Sequence, residues 1–291
     1  MERTLDKVVV HIEEADGALQ QQIEEMVEVL KGEGLCVELP EVLREEALCV
    51  KQPETLKTEP GNVLYLTDNG KLAARLAEKK MAVLGILHEG NQDDSFGKVR
   101  FLVEGAEDIT ADYLERVYRR YVNLPWGILE TERCILRETT EEDLDAFYGI
   151  YAEPSVIRYM ENLYEDREKE RAYITQYREN MYGFYGFGIW TVLLKETGEI
   201  IGRAGLDMRV GFEEPELGFL IGVPWQGRGL AEEVCKGVLF YAKAALEFTH
   251  VQAMVEPENE VSLILLHKLG FTPMGEYVDR DITYQRFVRE L

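Results

Sequence analysis

The hexapeptide Gln226-Gly227-Arg228-Gly229-Leu230-Ala231 constrains this chain more than any other segment. It follows an apolar run, Leu217 to Val223, closed by Pro224-Trp225, and it precedes a helix-like stretch from Glu232 to Leu246. A strand that ends in a glycine loop and opens a helix has the outline of a phosphate cradle. Glycine lets the backbone approach an anion. The first helical N–H groups and the helix dipole add positive potential at the same place. Arg228 adds a formal charge. The same residues also suit a tight turn with a solvated arginine, so the loop takes its meaning from its context.

With 291 residues the chain has room for two modest domains. Its formal charge of −23 is shared, with 15 basic against 25 acidic residues in 1–123 and 17 against 30 beyond. Such a field repels nucleic acid and anionic membranes and attracts cations, an amine among them. An anionic cofactor then needs a local site built from backbone N–H groups. No apolar run approaches the roughly 18 residues of a membrane span. Met1 to Lys7 lacks the apolar core of a signal peptide, so a cytoplasmic protein is expected. Cys36, Cys49, Cys134 and Cys235 show no CxxC spacing and read as reduced thiols. His11, His88, His250 and His267 are scattered, and no metal is expected.

Residues 1–123 read as a small open α/β sheet domain. Strands are predicted at Lys7–Ile12, Leu35–Leu39, Val63–Thr67, Met81–Leu87 and Val99–Val103, and helices at Gly17–Leu30, Leu72–Lys80 and from Thr110 toward Tyr121. The alternation argues for a parallel sheet. Ligands of such sheets bind beyond the strand C-termini, here Thr67-Asp68-Asn69 and His88-Glu89-Gly90-Asn91. The stretch from Val63 to Leu87 resembles part of the core of haloacid-dehalogenase-type phosphatases. The Asp-x-Asp nucleophile signature of that family is missing: the first strand ends in His11-Ile12-Glu13-Glu14. A non-catalytic or regulatory module is therefore expected. Pro125-Trp126-Gly127 breaks the preceding helix and marks the boundary of a second domain, 124–291.

From Leu129 onward several separated motifs share one order and spacing. They are Glu130-Thr131-Glu132-Arg133-Cys134-Ile135-Leu136-Arg137, the capping signature Thr140-Glu141-Glu142-Asp143, Glu199-Ile200-Ile201-Gly202, Glu216-Leu217-Gly218-Phe219, Asn259-Glu260-Val261-Ser262 and Lys268-Leu269-Gly270-Phe271. Together with the glycine loop they resemble the GNAT superfamily of acyl-CoA N-acyltransferases, in particular the branch that acetylates ribosomal-protein N-termini. The expected fold class is thus α/β followed by α+β, with a mixed, mostly antiparallel GNAT-type sheet flanked by helices.

The resemblance implies acetyl transfer from acetyl-CoA to a primary amine by direct attack, the amine being a small molecule or a protein N-terminus. It implies that the backbone of Gln226, Gly227, Arg228, Gly229, Leu230 and Ala231 holds the pyrophosphate, and that Phe219, Ile221 and Val223 offer a strand edge to the pantetheine arm. An N–H near Ile221 is the expected oxyanion donor. Asn259 is the expected contact to the cofactor amide or to the loop, or else a capping or turn residue. Glu216 is the candidate general base, with Asp207 and Glu256 as rivals. Ser262 is the candidate partner of the leaving thiolate, or else a helix cap. Many relatives carry a tyrosine acid where this chain has Leu266. The aromatic run Tyr182 to Trp190 and the segment Ile157 to Met160 suit either an acceptor wall or alternate residues of a packed strand. Cys235, on the helix after the loop, is a poor nucleophile candidate. The alternative to an enzyme is a catalytically silent acyl-CoA-binding module with a partner-binding N-terminal domain.

Overall fold

The computed structural model describes residues 3–13, 15–40 and 62–291; Glu14 and Cys49 lie outside them. The chain divides into two compact units, Met1–Leu124 and Pro125–Leu291. Among the described residues no helix is long and apolar enough to cross a membrane.

In the first unit the β-branched run Val8-Val9-Val10 forms the buried centre of β1 (Lys7–His11). Helix α1 (Gly17–Gly32) starts where the Asp16 carboxylate accepts from Leu19 N at 2.8 Å, and it buries Leu19, Ile23, Met26, Val27 and Leu30 against the sheet. Then follow β2 (Cys36–Glu38), β3 (Val63–Thr67), α2 (Gly70–Glu78), β4 (Ala82–Leu87), β5 (Phe101–Glu104) and α3 (Ala111–Tyr121). The sheet runs β2-β1-β3-β4-β5 and every pairing is parallel, as the alternation predicts.

The strand order reverses between β1 and β3, where a ligand crevice is expected in such sheets. Here the polar groups at that place bind one another. Asp68 is buried and its Oδ1 accepts from Glu13 N at 2.8 Å. Asn91, also buried, donates to the carbonyls of Asp68 at 2.7 Å and Ile86 at 2.9 Å, and accepts from His88 N at 2.8 Å. Asn69 caps α2 and donates to Glu13. The segments predicted to face a ligand thus lace three strand ends together.

The second unit holds an eight-stranded sheet, ordered β12-β13-β11-β10-β9-β8-β7-β6. Its strands are β6 (Gly127–Glu130), β7 (Cys134–Arg137), β8 (Ile189–Leu194), β9 (Ile200–Asp207), β10 (Glu216–Ile221), β11 (His250–Val255), β12 (Thr272–Asp279) and β13 (Ile282–Glu290). All pairings are antiparallel except β10 with β11. Helices α4 (Leu144–Tyr151) and α5 (Arg167–Tyr177) precede β8, α6 (Leu230–Ala244) links β10 to β11, and α7 (Glu260–Lys268) follows β11. This is the predicted mixed sheet with flanking helices. The Thr140 cap is also present: Asp143 Oδ2 accepts from Thr140 N at 2.9 Å.

Two boundaries move in ways that matter for the site. The helix after the glycine loop begins at Leu230, so Leu230 and Ala231 form its first turn. Strand β10 ends at Ile221 because Pro224 starts a 3-10 turn, Val223–Trp225, and Val223 is 40% exposed there, off the strand edge. The aromatic run is not one strand either. Residues 178–185 continue α5 as a π-helical stretch closed by Gly186 at φ 79°, and β8 starts only at Ile189. Tyr182, Phe187 and Trp190 from this run are core residues, and Tyr182 Oη donates to Ile189 O at 2.5 Å.

Candidate active site

Strands β10 and β11 pair at one position, Glu216 with Gln252, where Gln252 N donates to Pro215 O at 2.9 Å. Past that point β10 has its partner only on the β9 side, through to Ile221 opposite Gly202. Gly222 N donates to Ile201 O at 2.8 Å, which fixes the phase of the β9–β10 ladder. In an antiparallel ladder alternate residues turn their N–H and C=O to opposite neighbours. The polar backbone of Leu217, Phe219 and Ile221 therefore faces the gap left by β11. A strand-like ligand segment has an edge to join there.

The gap opens into a cavity of about 990 Å³. Phe219 and Ile221 line it from the strand, Gln226, Gly227, Gly229, Leu230 and Ala231 from the loop and helix start, and Asn259 and Ser262 from α7. The sequence thus anticipates nine residues that meet at one cavity. Gln226 does not reach outward: its Nε2 donates to Ile221 O at 2.7 Å, tying the loop to the strand end. Gly227 and Gly229 have φ of 71° and 77°, the left-handed region that a side chain disfavours. Gly229 is the N-cap of α6 and brings no side-chain acceptor. The N–H groups of the first helical turn, at Leu230, Ala231 and Glu232, therefore have no acceptor within the helix, and all three residues line the cavity. These donors fit an anion such as a pyrophosphate.

Three expected site residues are not among those that line the cavity: Glu216, at the start of β10, Val223 and Arg228. Val223 is removed by the end of the strand. Arg228 is exposed, does not border the cavity, and turns its carbonyl to Arg133 NH1 at 3.0 Å. The cations that line the cavity are Arg158 and Lys268, beside Glu232, Glu258 and Glu260. Glu232 already holds Lys236 at 2.7 Å and Lys268 at 3.8 Å.

On α7 the cap is Asn259, whose Oδ1 accepts from Ser262 N at 3.3 Å. Ser262 is therefore not the cap, and its hydroxyl has no partner among the described residues. Leu266 is fully buried in the main core, so the place of the usual tyrosine is closed off. Cys235 is buried as well, and burial pushes its thiol far above the ordinary range.

Glu216 lies opposite Asp207 in the β9–β10 ladder. Arg209 donates from Nε to Glu216 Oε2 at 2.6 Å and from NH2 to Oε1 at 3.4 Å, and its NH1 reaches Asp279 Oδ2 at 3.1 Å. Among the described residues Asp207 accepts from Met208 N alone, at 2.8 Å. Burial, followed by the Glu216 charge, raises the Asp207 carboxyl above its ordinary value, against the pull of Met208 N–H, Arg209 and Arg203. Tyr284, raised by burial, faces Arg209, Glu256, Asp279 and Glu216. Arg209 and Tyr284 carry no sequence motif, and only the fold brings them to Glu216. Among the described residues no cluster of His, Cys, Asp or Glu is placed to hold a metal ion.

A family model described as an acetyltransferase (GNAT) domain matches residues 133–272. The chain is 32% identical over 166 residues to the uncharacterized N-acetyltransferase YoaA of Bacillus subtilis, covering 54% of this chain and 89% of that relative. The chain belongs to the GNAT acetyltransferases. It is an acyl-CoA-dependent acetyltransferase, and enzymes of this family use acetyl-CoA as co-substrate. A second relative of this GNAT acetyltransferase is the ribosomal protein uS5-alanine N-acetyltransferase of Escherichia coli, 27% identical over 165 residues, 53% of this chain and 82% of the relative. A crystal structure titled as RimL, a ribosomal L7/L12 alpha-N-protein acetyltransferase, shares the fold with a TM-score of 0.50 at 12% identity, covering 58% of this chain and 96% of that one.

Proposed function

We propose that the enzyme acetylates a primary amine by direct attack on acetyl-CoA. The observation that carries this reading is the unpaired edge of β10 at Phe219 and Ile221, continuous with the uncapped start of α6 in one cavity. The backbone of Gly227 to Ala231 holds the pyrophosphate. The pantetheine arm joins the strand edge, and the N–H of Ile221 faces the thioester carbonyl. The neutral amine nitrogen forms the C–N bond, the C–S bond breaks, and the proton that the nitrogen sheds on becoming an amide passes to the leaving thiolate by way of Ser262 Oγ. Asn259 serves by capping α7 at the cavity wall.

The role expected of Glu216 is shared in this reading. Glu216, held by Arg209 at 2.6 Å, draws the ammonium in. Asp207, with its raised carboxyl, takes the proton, because a carboxylate raised toward the working pH is the stronger base. The acceptor is a small amine or a peptide N-terminus, the latter in keeping with the name of the Escherichia coli relative. Residues 1–123 act as a non-catalytic module, since Asp68 and Asn91 are engaged in lacing strand ends.

Initial rates of acetyl-CoA turnover with a panel of amines and N-terminal peptides test the proposal. Wild type turns over at least one of them, Asp207→Asn is slowed about 100-fold or more, and Glu216→Gln raises KM for the amine. Binding of acetyl-CoA without turnover of any amine overturns it.

A further inference from the structure

Arg133 lies in the turn that joins β6 to β7, outside the cavity. Its N–H donates to Glu233 Oε1 at 2.7 Å and its Nε to Glu233 Oε2 at 2.6 Å. Thr131 Oγ1 donates to the same Oε1 at 2.6 Å. Glu233 belongs to the first turn of α6 and is fixed from the β6–β7 turn by these three donors. The remaining arm of the guanidinium, NH1, donates to the Arg228 carbonyl at 3.0 Å.

That last bond has a geometric consequence. The peptide between Arg228 and Gly229 is trans, so its C=O and its N–H point in opposite directions. Holding the carbonyl toward Arg133 turns the Gly229 N–H away from Arg133, to the side where Gly229 lines the cavity. A charged donor on the carbonyl also polarises the peptide and strengthens its N–H. Arg228, the arginine inside the motif, contributes its carbonyl to this arrangement rather than its charge.

We propose that Arg133 is a positioning residue for the cofactor loop: it sets the peptide whose N–H meets the pyrophosphate and anchors the helix turn behind it. The proposal rests on the acetyl-CoA reading of the loop, and its test separates the two.

Steady-state constants are measured for acetyl-CoA and for S-acetyl-pantetheine, which carries the thioester and lacks the pyrophosphate. Wild type, Arg133→Ala and Arg133→Lys are compared with one amine. Arg133→Ala raises KM for acetyl-CoA about tenfold, leaves kcat near the wild-type value, and leaves S-acetyl-pantetheine turnover unchanged. Arg133→Lys keeps the charge without the fork and lies between the two. In a variant whose circular dichroism matches wild type, an equal loss with both donors, or no loss with either, overturns the role of Arg133. A variant that fails to fold shows that equal loss, and Arg133→Lys then carries the test through the same selective rise in KM. A wild type that handles both donors equally well overturns the pyrophosphate reading itself.

Discussion

Glu216 and Asp207 face each other across the β9–β10 ladder, yet among the described residues only Glu216 has a cation within hydrogen-bond distance, Arg209 at 2.6 Å. Burial and the Glu216 charge raise Asp207, so kcat/KM rises with pH as Asp207 ionises. In Glu216→Gln the neighbouring charge is gone and Arg209 is released to favour ionised Asp207. The acid limb of the pH–rate profile, taken with one amine, therefore shifts to lower pH. In Asp207→Asn that limb disappears. A limb that stays in place in both variants contradicts the assignment.

The loop glycines make a separable prediction. Gly229 has φ of 77°, and a Cβ there meets only Arg133 NH2, at an ordinary 3.7 Å. The cost of Gly229→Ala is thus conformational, about 1–2 kcal/mol of left-handed strain. Thermal unfolding should fall by a few degrees, and KM for acetyl-CoA should rise while the value for S-acetyl-pantetheine stays put.

Ionic strength tests how the anion is held. The cavity lines Arg158 and Lys268 against Glu232, Glu258 and Glu260, within a chain of net charge −23. Backbone donors then bind acetyl-CoA against an unfavourable field. Raising salt from about 0.01 M to about 0.15 M shortens the screening length from about 30 Å to about 8 Å. KM for acetyl-CoA should fall over that range. A rise would assign the binding to Arg158 and Lys268 instead.

How far the sequence carries differs from place to place. Gly227 and Gly229 are legible because their backbone conformation disfavours other residues, and Asn259 because a cap follows from local chemistry. The parallel first sheet follows from the spacing of apolar runs. Val223 was misplaced because Pro224 ends the strand two residues early, an effect of the turn rather than of apolar content. Arg209 binds Glu216, 7 residues on, and Asp279, 70 residues on, while Arg133 binds Glu233, 100 residues on, and no periodicity reports these pairings. Tyr182 shows another limit: its aromatic run suits an acceptor wall or a packed strand equally, and only the fold shows its hydroxyl bound to Ile189 O inside the core.

Leu266 gives a negative prediction. It is fully buried in the main core, away from the cavity lining. Leu266→Tyr restores the family tyrosine in sequence but overpacks the core, at about 1–3 kcal/mol. Thermal unfolding should show the loss and kcat should not rise. A faster enzyme would mean that the phenol reaches the leaving thiolate.

Unit one has its own acid sensitivity. Burial pushes the Glu115 carboxyl up, but the N–H groups of Leu5 and Thr4, together with Arg119, outweigh it and hold it below its ordinary value. A depressed carboxylate contributes stability above its unfolded value, about 4.3, and that stability is lost as pH falls toward the folded value. Acid unfolding of Glu115→Gln, followed by circular dichroism, should be less steep below about pH 4.5. An unchanged slope contradicts the role of Glu115.

The most direct measurement is a crystal structure with acetyl-CoA bound. The account predicts pyrophosphate oxygens within hydrogen-bond distance of the N–H groups from Gly229 to Ala231, and the pantetheine arm laid along Phe219 and Ile221 in the gap between β10 and β11. A cofactor bound elsewhere, or a pyrophosphate held by the side chains of Arg228, Arg158 and Lys268 with the loop amides turned away, would contradict it.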